Sequence, residues 1–288
     1  MLEPEIRKFT ASDGYRFHYR RWRTGDAPPR GYVVALHGIQ SHSGWYEFSS
    51  NRMAQAGYEV CFLDRRGSGL NQEFRGHSPH PDRLVNDVVQ FLTELQDRRN
   101  REAPDGPVIL LSVSWGCKLA AVTAVRRSET IDALALLYPG ICAKIQPRWD
   151  QKLRLDFASW LGISRRTVPI PLGDAALFTG EPKWQEFIKN DSLALHRMTV
   201  SLIQCSLELD RMSAQSPARI RCPLLLMLAG KDRIIDNAGT RRWFERVAST
   251  RRQLIEYPEA QHTLEFEPNR DRFADDLIGW LDSVREDC

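Results

Sequence analysis

No stretch of this 288-residue chain approaches the roughly 18 consecutive apolar residues that a membrane-spanning helix requires. Its first residues, MLEPEIRKFT, lack the charged start, apolar middle and small-residue cleavage site of a secretory signal. A cytoplasmic location is therefore the expectation, and any membrane contact is of the peripheral kind. Cysteine is sparse and scattered: Cys61, Cys117, Cys142, Cys205, Cys222 and Cys288 form no CxxC pair and no other metal-ligand spacing. Several fall in apolar runs, which points to reduced, buried thiols. An excess of one charge is also missing. The 40 basic residues nearly balance 37 acidic ones, for a net charge of +3, and the arginines come as separated pairs such as Arg98-Arg99, Arg126-Arg127 and Arg251-Arg252. That is the pattern of a solvated surface, whereas a nucleic-acid partner would need one clustered basic face. Internal repeats, low-complexity tracts and coiled-coil heptads are lacking too.

What is present is the composition of a globular protein, with 42% hydrophobic and 27% charged residues, laid out as alternating elements. Two runs near Ile6–Phe9 and Tyr15–Trp22, split by Ser12-Asp13-Gly14, predict an antiparallel start. Five short apolar runs follow, Tyr32–Leu36, Glu59–Leu63, Val108–Leu111, Ala133–Leu137 and Leu224–Leu228, and then Gln253–Tyr257. Each is bounded by turn residues and short enough to be a buried parallel strand. Between them, Leu84, Val88, Phe91, Leu92 and Leu95 keep helical spacing, as do Phe273, Leu277, Trp280, Leu281 and Val284. The pattern predicts an α/β class: a mostly parallel eight-stranded sheet with helices on both faces. Residues 140–219 break the alternation with helical patterns at Leu153, Phe157, Trp160, Leu161 and at Leu195, Met198, Leu202, Leu209. They are expected to form a helical cap inserted in a core made of residues 1–139 and 220–288.

Chemistry gathers where strands end. The strand at Val108–Leu111 runs through Ser112-Val113-Ser114-Trp115-Gly116 into a helix, the strand–turn–helix context that exposes a serine hydroxyl at the sheet edge. The usual pattern is G-x-S-x-G, and here Ser112 stands at the first glycine. Taken alone, SxSxG is equally a helix cap. Asp232 follows the strand Leu224–Leu228 directly, where sites in open parallel sheets are built; Asp236 competes, and also suits a helix cap. His262 lies on the loop beyond Gln253–Tyr257. The chain order Ser, Asp, His, with all three at strand ends, makes Ser114 the candidate nucleophile, Asp232 the supporting acid and His262 the base.

The chain resembles the monoacylglycerol lipase and lysophospholipase-like (serine aminopeptidase-type) branch of the α/β-hydrolase superfamily. The resemblance rests on His37-Gly38, on His42-Ser43-Gly44-Trp45-Tyr46 and on Asp64-Arg65-Arg66-Gly67-Ser68-Gly69. The Ser114 elbow, Phe178-Thr179-Gly180, Asn190-Asp191, Ala229-Gly230-Lys231-Asp232 and His262-Thr263 complete it. It implies the α/β-hydrolase fold and an oxyanion hole formed by the backbone N–H groups of Ile39 and Trp115, which suit a developing alkoxide. His37 would hold its loop by hydrogen bonds, and the Asp64 segment would shape a turn near the site.

A serine hydroxyl is too weak an acid to attack unaided, so His262 would take its proton and Asp232 would fix the tautomer. The reaction implied is hydrolysis of a small-molecule carboxylic ester with an apolar acyl chain, through an acyl-enzyme and with no metal or organic cofactor. Cap residues Phe178, Trp184 and Phe187 either line an acyl pocket or pack the cap on the core. An aminopeptidase on the same triad would need a cap carboxylate, Glu181, Glu186 or Asp191, aimed at a substrate amine. A thioesterase, a C–C bond hydrolase and a binding protein on a hydrolase scaffold are the remaining alternatives. The sequence sets no oligomeric state.

Overall fold

In the computed structural model, which describes residues 2–25, 27–145 and 163–286, eight strands form one sheet in the order β1-β2-β4-β3-β5-β6-β9-β10. Strands β1 (Glu5–Thr10) and β2 (Arg16–Trp22) form the expected antiparallel hairpin, turned at Gly14 with φ +82°. β2 also runs antiparallel to β4 (Tyr58–Leu63). From β4 onward, β3 (Gly31–Leu36), β5 (Val108–Val113), β6 (Ala133–Leu137), β9 (Leu224–Ala229) and β10 (Arg252–Tyr257) are all parallel to their neighbours. Every residue of β3, β4, β5, β6 and β9 is buried, the physical counterpart of their mostly apolar runs. Edge strand β10 is exposed at its start and buried at Tyr257.

Helices cover both faces. α1 (Glu47–Gln55) packs with the C-terminal helix, and α2 (Pro81–Glu102) packs with α3 (Gly116–Arg126). The apolar stripe of α2, with Leu84, Val88, Phe91, Leu92 and Leu95 all buried, faces the sheet as its spacing predicts.

Between β6 and β9 the chain forms β7 (Thr167–Pro169), α4 (Pro182–Asn190), β8 (Arg197–Thr199) and α5 (Val200–Ala214). Two further helices, α6 (Asn237–Glu245) and α7 (Arg270–Glu286), flank β10. Here the helical reading of Leu195 and Met198 needs correction. Met198 belongs to β8, which pairs antiparallel with β7, and Leu195 lies in the loop before it. The helix starts only at Val200, because the Thr199 hydroxyl caps it by accepting from the Leu202 N–H at 3.2 Å. The pattern Leu153, Phe157, Trp160 and Leu161 lies outside the described residues.

Candidate active site

Four parallel strands deliver the expected residues to one edge of the sheet: Ile39 after β3, Ser114 after β5, Asp232 after β9 and His262 after β10. Ser114 sits at the apex of a sharp turn with φ +50°, in the left-handed region that non-glycine residues adopt only under constraint. Its N–H donates to Leu137 O at 3.0 Å, and its carbonyl accepts from Gly140 N at 2.7 Å, so β6 and the loop after it hold the turn. Gly116 is required by proximity: a Cβ there would stand 2.6 Å from His37 O and 2.7 Å from Ser112 Oγ. The Ser112 hydroxyl itself donates to Leu36 O at 3.2 Å, across the β3–β5 pair and away from His262.

The side chains meet in a continuous hydrogen-bonded chain. His262 Nε2 lies 2.9 Å from Ser114 Oγ, and His262 Nδ1 lies 2.7 Å from Asp232 Oδ2. The other oxygen of Asp232 accepts the Ile234 and Ile235 N–H groups at 2.8 and 2.9 Å. The carboxylate is thus fixed on one side, and its partner nitrogen Nδ1 carries the imidazole proton, which leaves Nε2 free to accept from the serine. His262 is 1% exposed and Asp232 4%, while Ser114 is partly open to solvent. Tyr138 and Phe178 hold the imidazole edge-to-face, with ring centroids 5.0 and 5.8 Å away. The competing acid Asp236 is the N-cap residue of α6, but its side chain makes no capping hydrogen bond. It faces Arg242 at 3.9 Å instead.

The N–H groups of Ile39 and Trp115 have no protein acceptor among the described residues, although the two residues are 8% and 5% exposed. Gly38 brings the first of them close, since a Cβ on it would lie 3.3 Å from Ser114 Cβ. His37 holds this loop as expected. It accepts the Arg65 N–H on Nε2 at 2.8 Å, so its Nδ1 carries the proton donated to Gly38 O at 2.7 Å. Burial, with Arg65 nearby, pushes the His37 imidazole well below its usual range, so it stays neutral. Asp64 shapes the neighbouring turn by accepting the N–H groups of Ser43 and Leu70, both at 2.8 Å. Beneath the elbow is a cavity of about 20 Å³ walled by His37, Arg65, Trp115 and Gly116, room for about one water and too small for a substrate.

Described residues of the 140–219 segment contact the loops at this edge. Asp191 Oδ2 accepts from Trp45 Nε1 at 2.6 Å and from His42 Nε2 at 3.0 Å, and Phe178 O accepts from Thr263 N at 2.9 Å. Trp184 stacks on Phe266 at 4.6 Å, and Phe187 meets Trp45 edge-on at 6.1 Å. These aromatics pack the segment onto the core, one of the two roles the sequence left open. Neither Tyr138 nor Arg65 was readable as a site residue; the one available signal was that Arg65 lies in the Asp64 turn.

Comparison with known proteins agrees with this architecture. A family model described as serine aminopeptidase, S33 (Hydrolase_4) matches residues 27–269. The chain is 29% identical over 276 residues to a monoacylglycerol lipase of Mycolicibacterium smegmatis, covering 95% of each. It is 25% identical to the phospholipase YtpA of Bacillus subtilis, covering 84% of this chain and 92% of that one. A soluble variant of monoglyceride lipase from Saccharomyces cerevisiae superposes with a TM-score of 0.86 at 18% identity, over 99% of this chain and 96% of that one. The chain therefore belongs to the serine aminopeptidase S33 family and is a serine hydrolase on the α/β-hydrolase fold.

Proposed function

We propose that this hydrolase cleaves carboxylic esters of the monoacylglycerol or lysophospholipid type, with Ser114 as nucleophile, His262 as general base and Asp232 as its orienting carboxylate. The observation that carries the reading is the chain Ser114 Oγ, His262 Nε2, His262 Nδ1, Asp232 Oδ2, with contacts of 2.9 and 2.7 Å. His262 removes the Ser114 proton as Oγ attacks the ester carbonyl, and the Ile39 and Trp115 N–H groups receive the alkoxide. His262 then protonates the leaving alcohol, and water repeats the sequence on the acyl-enzyme. The similarity to a monoacylglycerol lipase over nearly the whole of both chains supports an apolar acyl group. Residues 140–219 act as the cap over this site, a role supported by the Asp191 and Phe178 contacts.

The aminopeptidase reading, which the family description favours, requires a free cap carboxylate. Asp191 is engaged by His42 and Trp45 and Glu186 accepts from Asn190 at 2.5 Å, which leaves Glu181 as the candidate carboxylate with no side-chain partner among the described residues; the ester reading is preferred on the similarity to a monoacylglycerol lipase. Five described cysteines are free thiols, in keeping with the expected cytoplasmic location. The test is labelling by a fluorophosphonate probe and turnover of p-nitrophenyl esters, both abolished in Ser114→Ala. Labelling that survives in Ser114→Ala overturns the assignment, and a panel of monoacylglycerols, lysophospholipids, thioesters and aminoacyl amides ranks the substrate classes.

A further inference from the structure

Arg65 and Arg66 are neighbours in sequence and opposites in environment. Arg66 donates through Nε and Nη2 to the two oxygens of Asp87, at 2.9 and 2.8 Å, and also pairs with Asp13. Arg65 is equally buried, at 9% exposure, yet it forms no ion pair among the described residues. Its Nη2 donates to Ile39 O at 3.2 Å and to Ser68 Oγ at 2.7 Å, and its Nη1 approaches Gly38 O at 3.4 Å. The guanidinium carbon lies 4.6 Å over the Trp115 ring. Asp64 acts on it through space, but the oxygens of that carboxylate already accept from Ser43 and Leu70. Burial pulls Arg65 down to about 9, which leaves it cationic at neutral pH.

We propose that Arg65 is a positioning residue for the oxyanion hole, its unpaired buried guanidinium fixing and polarising the Ile39 donor while it braces Trp115. This rests on the roles given above to Ser114, Ile39 and Trp115. The Gly38 carbonyl and the Ile39 N–H belong to one peptide group. Donors placed on that carbonyl, from His37 Nδ1 and Arg65 Nη1, orient the peptide plane and strengthen its N–H as a donor. The contact to Ile39 O pins the next peptide plane, so both planes flanking the Ile39 Cα are held. Trp115, the other donor residue, is clamped between the guanidinium and the Ser206 hydroxyl, which accepts from its Nε1 at 2.8 Å. A buried cation with no directly paired counter-ion is costly in the resting protein, and the cost is relieved when negative charge develops at the adjacent donors. That makes its effect largest in the transition state.

The experiment compares Arg65→Met, Arg65→Lys, Ser68→Ala and Ser114→Ala by kcat and KM on p-nitrophenyl butyrate. Inhibition by an alkyl trifluoromethyl ketone, whose serine adduct carries the alkoxide, gives an independent readout. Folded Arg65→Met should lose about 10- to 100-fold in kcat with KM within about threefold, and ketone affinity should fall in parallel. Arg65→Lys should recover part of both, because it restores the charge but not the planar fork. Wild-type kcat in folded Arg65→Met, or a loss confined to KM, overturns the proposal. Should Arg65→Met fail to fold, Ser68→Ala decides, since it removes one acceptor of the fork. A joint fall of about 2- to 5-fold in kcat and ketone affinity then supports the proposal, and unchanged values reject it. Ser114→Ala separates the two levels: if it is dead while Arg65→Met turns over normally, only the Arg65 inference fails. If Ser114→Ala is active, the underlying reading fails with it.

Discussion

Ser112→Gly restores the first glycine of the usual elbow pattern and tests what the serine does in this chain. Ser112 is fully buried, is in parallel register with Leu36, and donates its hydroxyl to Leu36 O at 3.2 Å. Removing the side chain loses one buried hydrogen bond, about 0.5–1.5 kcal/mol. It also places a glycine inside a strand, which costs about 0.5–1 kcal/mol in backbone entropy. The total is about 1–2.5 kcal/mol, which in a chain of this size lowers Tm by roughly 2–5 °C. Activity should hold within about threefold, because the hydroxyl points toward β3 and Ser114 keeps its bonds to Leu137 and Gly140. Thermal unfolding by circular dichroism, with p-nitrophenyl butyrate turnover on the same preparation, gives both numbers. A folded Ser112→Gly that loses more than about tenfold in kcat would refute the reasoning by showing that Ser112 acts on the chemistry. A rise in Tm would refute it differently, by showing that the extra Cβ strains the elbow more than its hydrogen bond stabilises it.

Two further outcomes are expected. In Asp232→Asn the carbonyl oxygen remains on the Ile234 and Ile235 N–H groups, and the amide NH2 faces His262 Nδ1. The imidazole proton is then driven to Nε2, the wrong tautomer for accepting from Ser114. Steady-state kcat should fall by about 10⁴, and a loss under tenfold would sink the assignment of Asp232. Glu265 is buried behind the site, accepting from Ser49 N at 3.0 Å, and burial lifts its carboxyl from 4.5 to about 7. Between those values the folded chain holds a proton that the unfolded chain releases. The contribution of Glu265 to stability is thus fullest below about pH 4.5 and falls by up to about 3 kcal/mol as pH rises through 7. Glu265→Gln removes that dependence, so its Tm relative to wild type should be higher at pH 8 than at pH 5; an equal difference at both pH values would contradict it.

How far the sequence could be read follows from which contacts are linear and which are not. Strands β3, β4, β5, β6 and β9 were visible because each is buried on both faces and is therefore mostly apolar, with Glu59 and Ser112 the polar exceptions. Ser114 and Asp232 were visible because each closely follows such a run, and His262 because it lies on the loop after edge strand β10; the order of strands in the sheet then brings three distant loops to one edge. Leu195 and Met198 misled because apolar spacing continues smoothly across a chain reversal, and the hydroxyl of Thr199, which ends one element and starts the next, leaves no mark in that periodicity. Loop-to-loop pairings are harder still. His42 and Asp191 each stood out as part of a separate motif, but nothing across a sequence separation of 149 says that one accepts from the other. Arg65 is the extreme case, since its environment differs from that of Arg66 through the placement of Asp87 on α2 and of Asp13 in the β1–β2 turn. Ser112 reverses the lesson: at the level of the motif it is a departure that weakens the elbow, yet in the sheet its hydroxyl ties β5 to β3 at the strand end that leads to Gly38 and Ile39. A motif therefore scores a residue by what usually stands there, while the fold decides by whether the polar atom it adds finds a partner, and only the second criterion bears on the chemistry of Ser114.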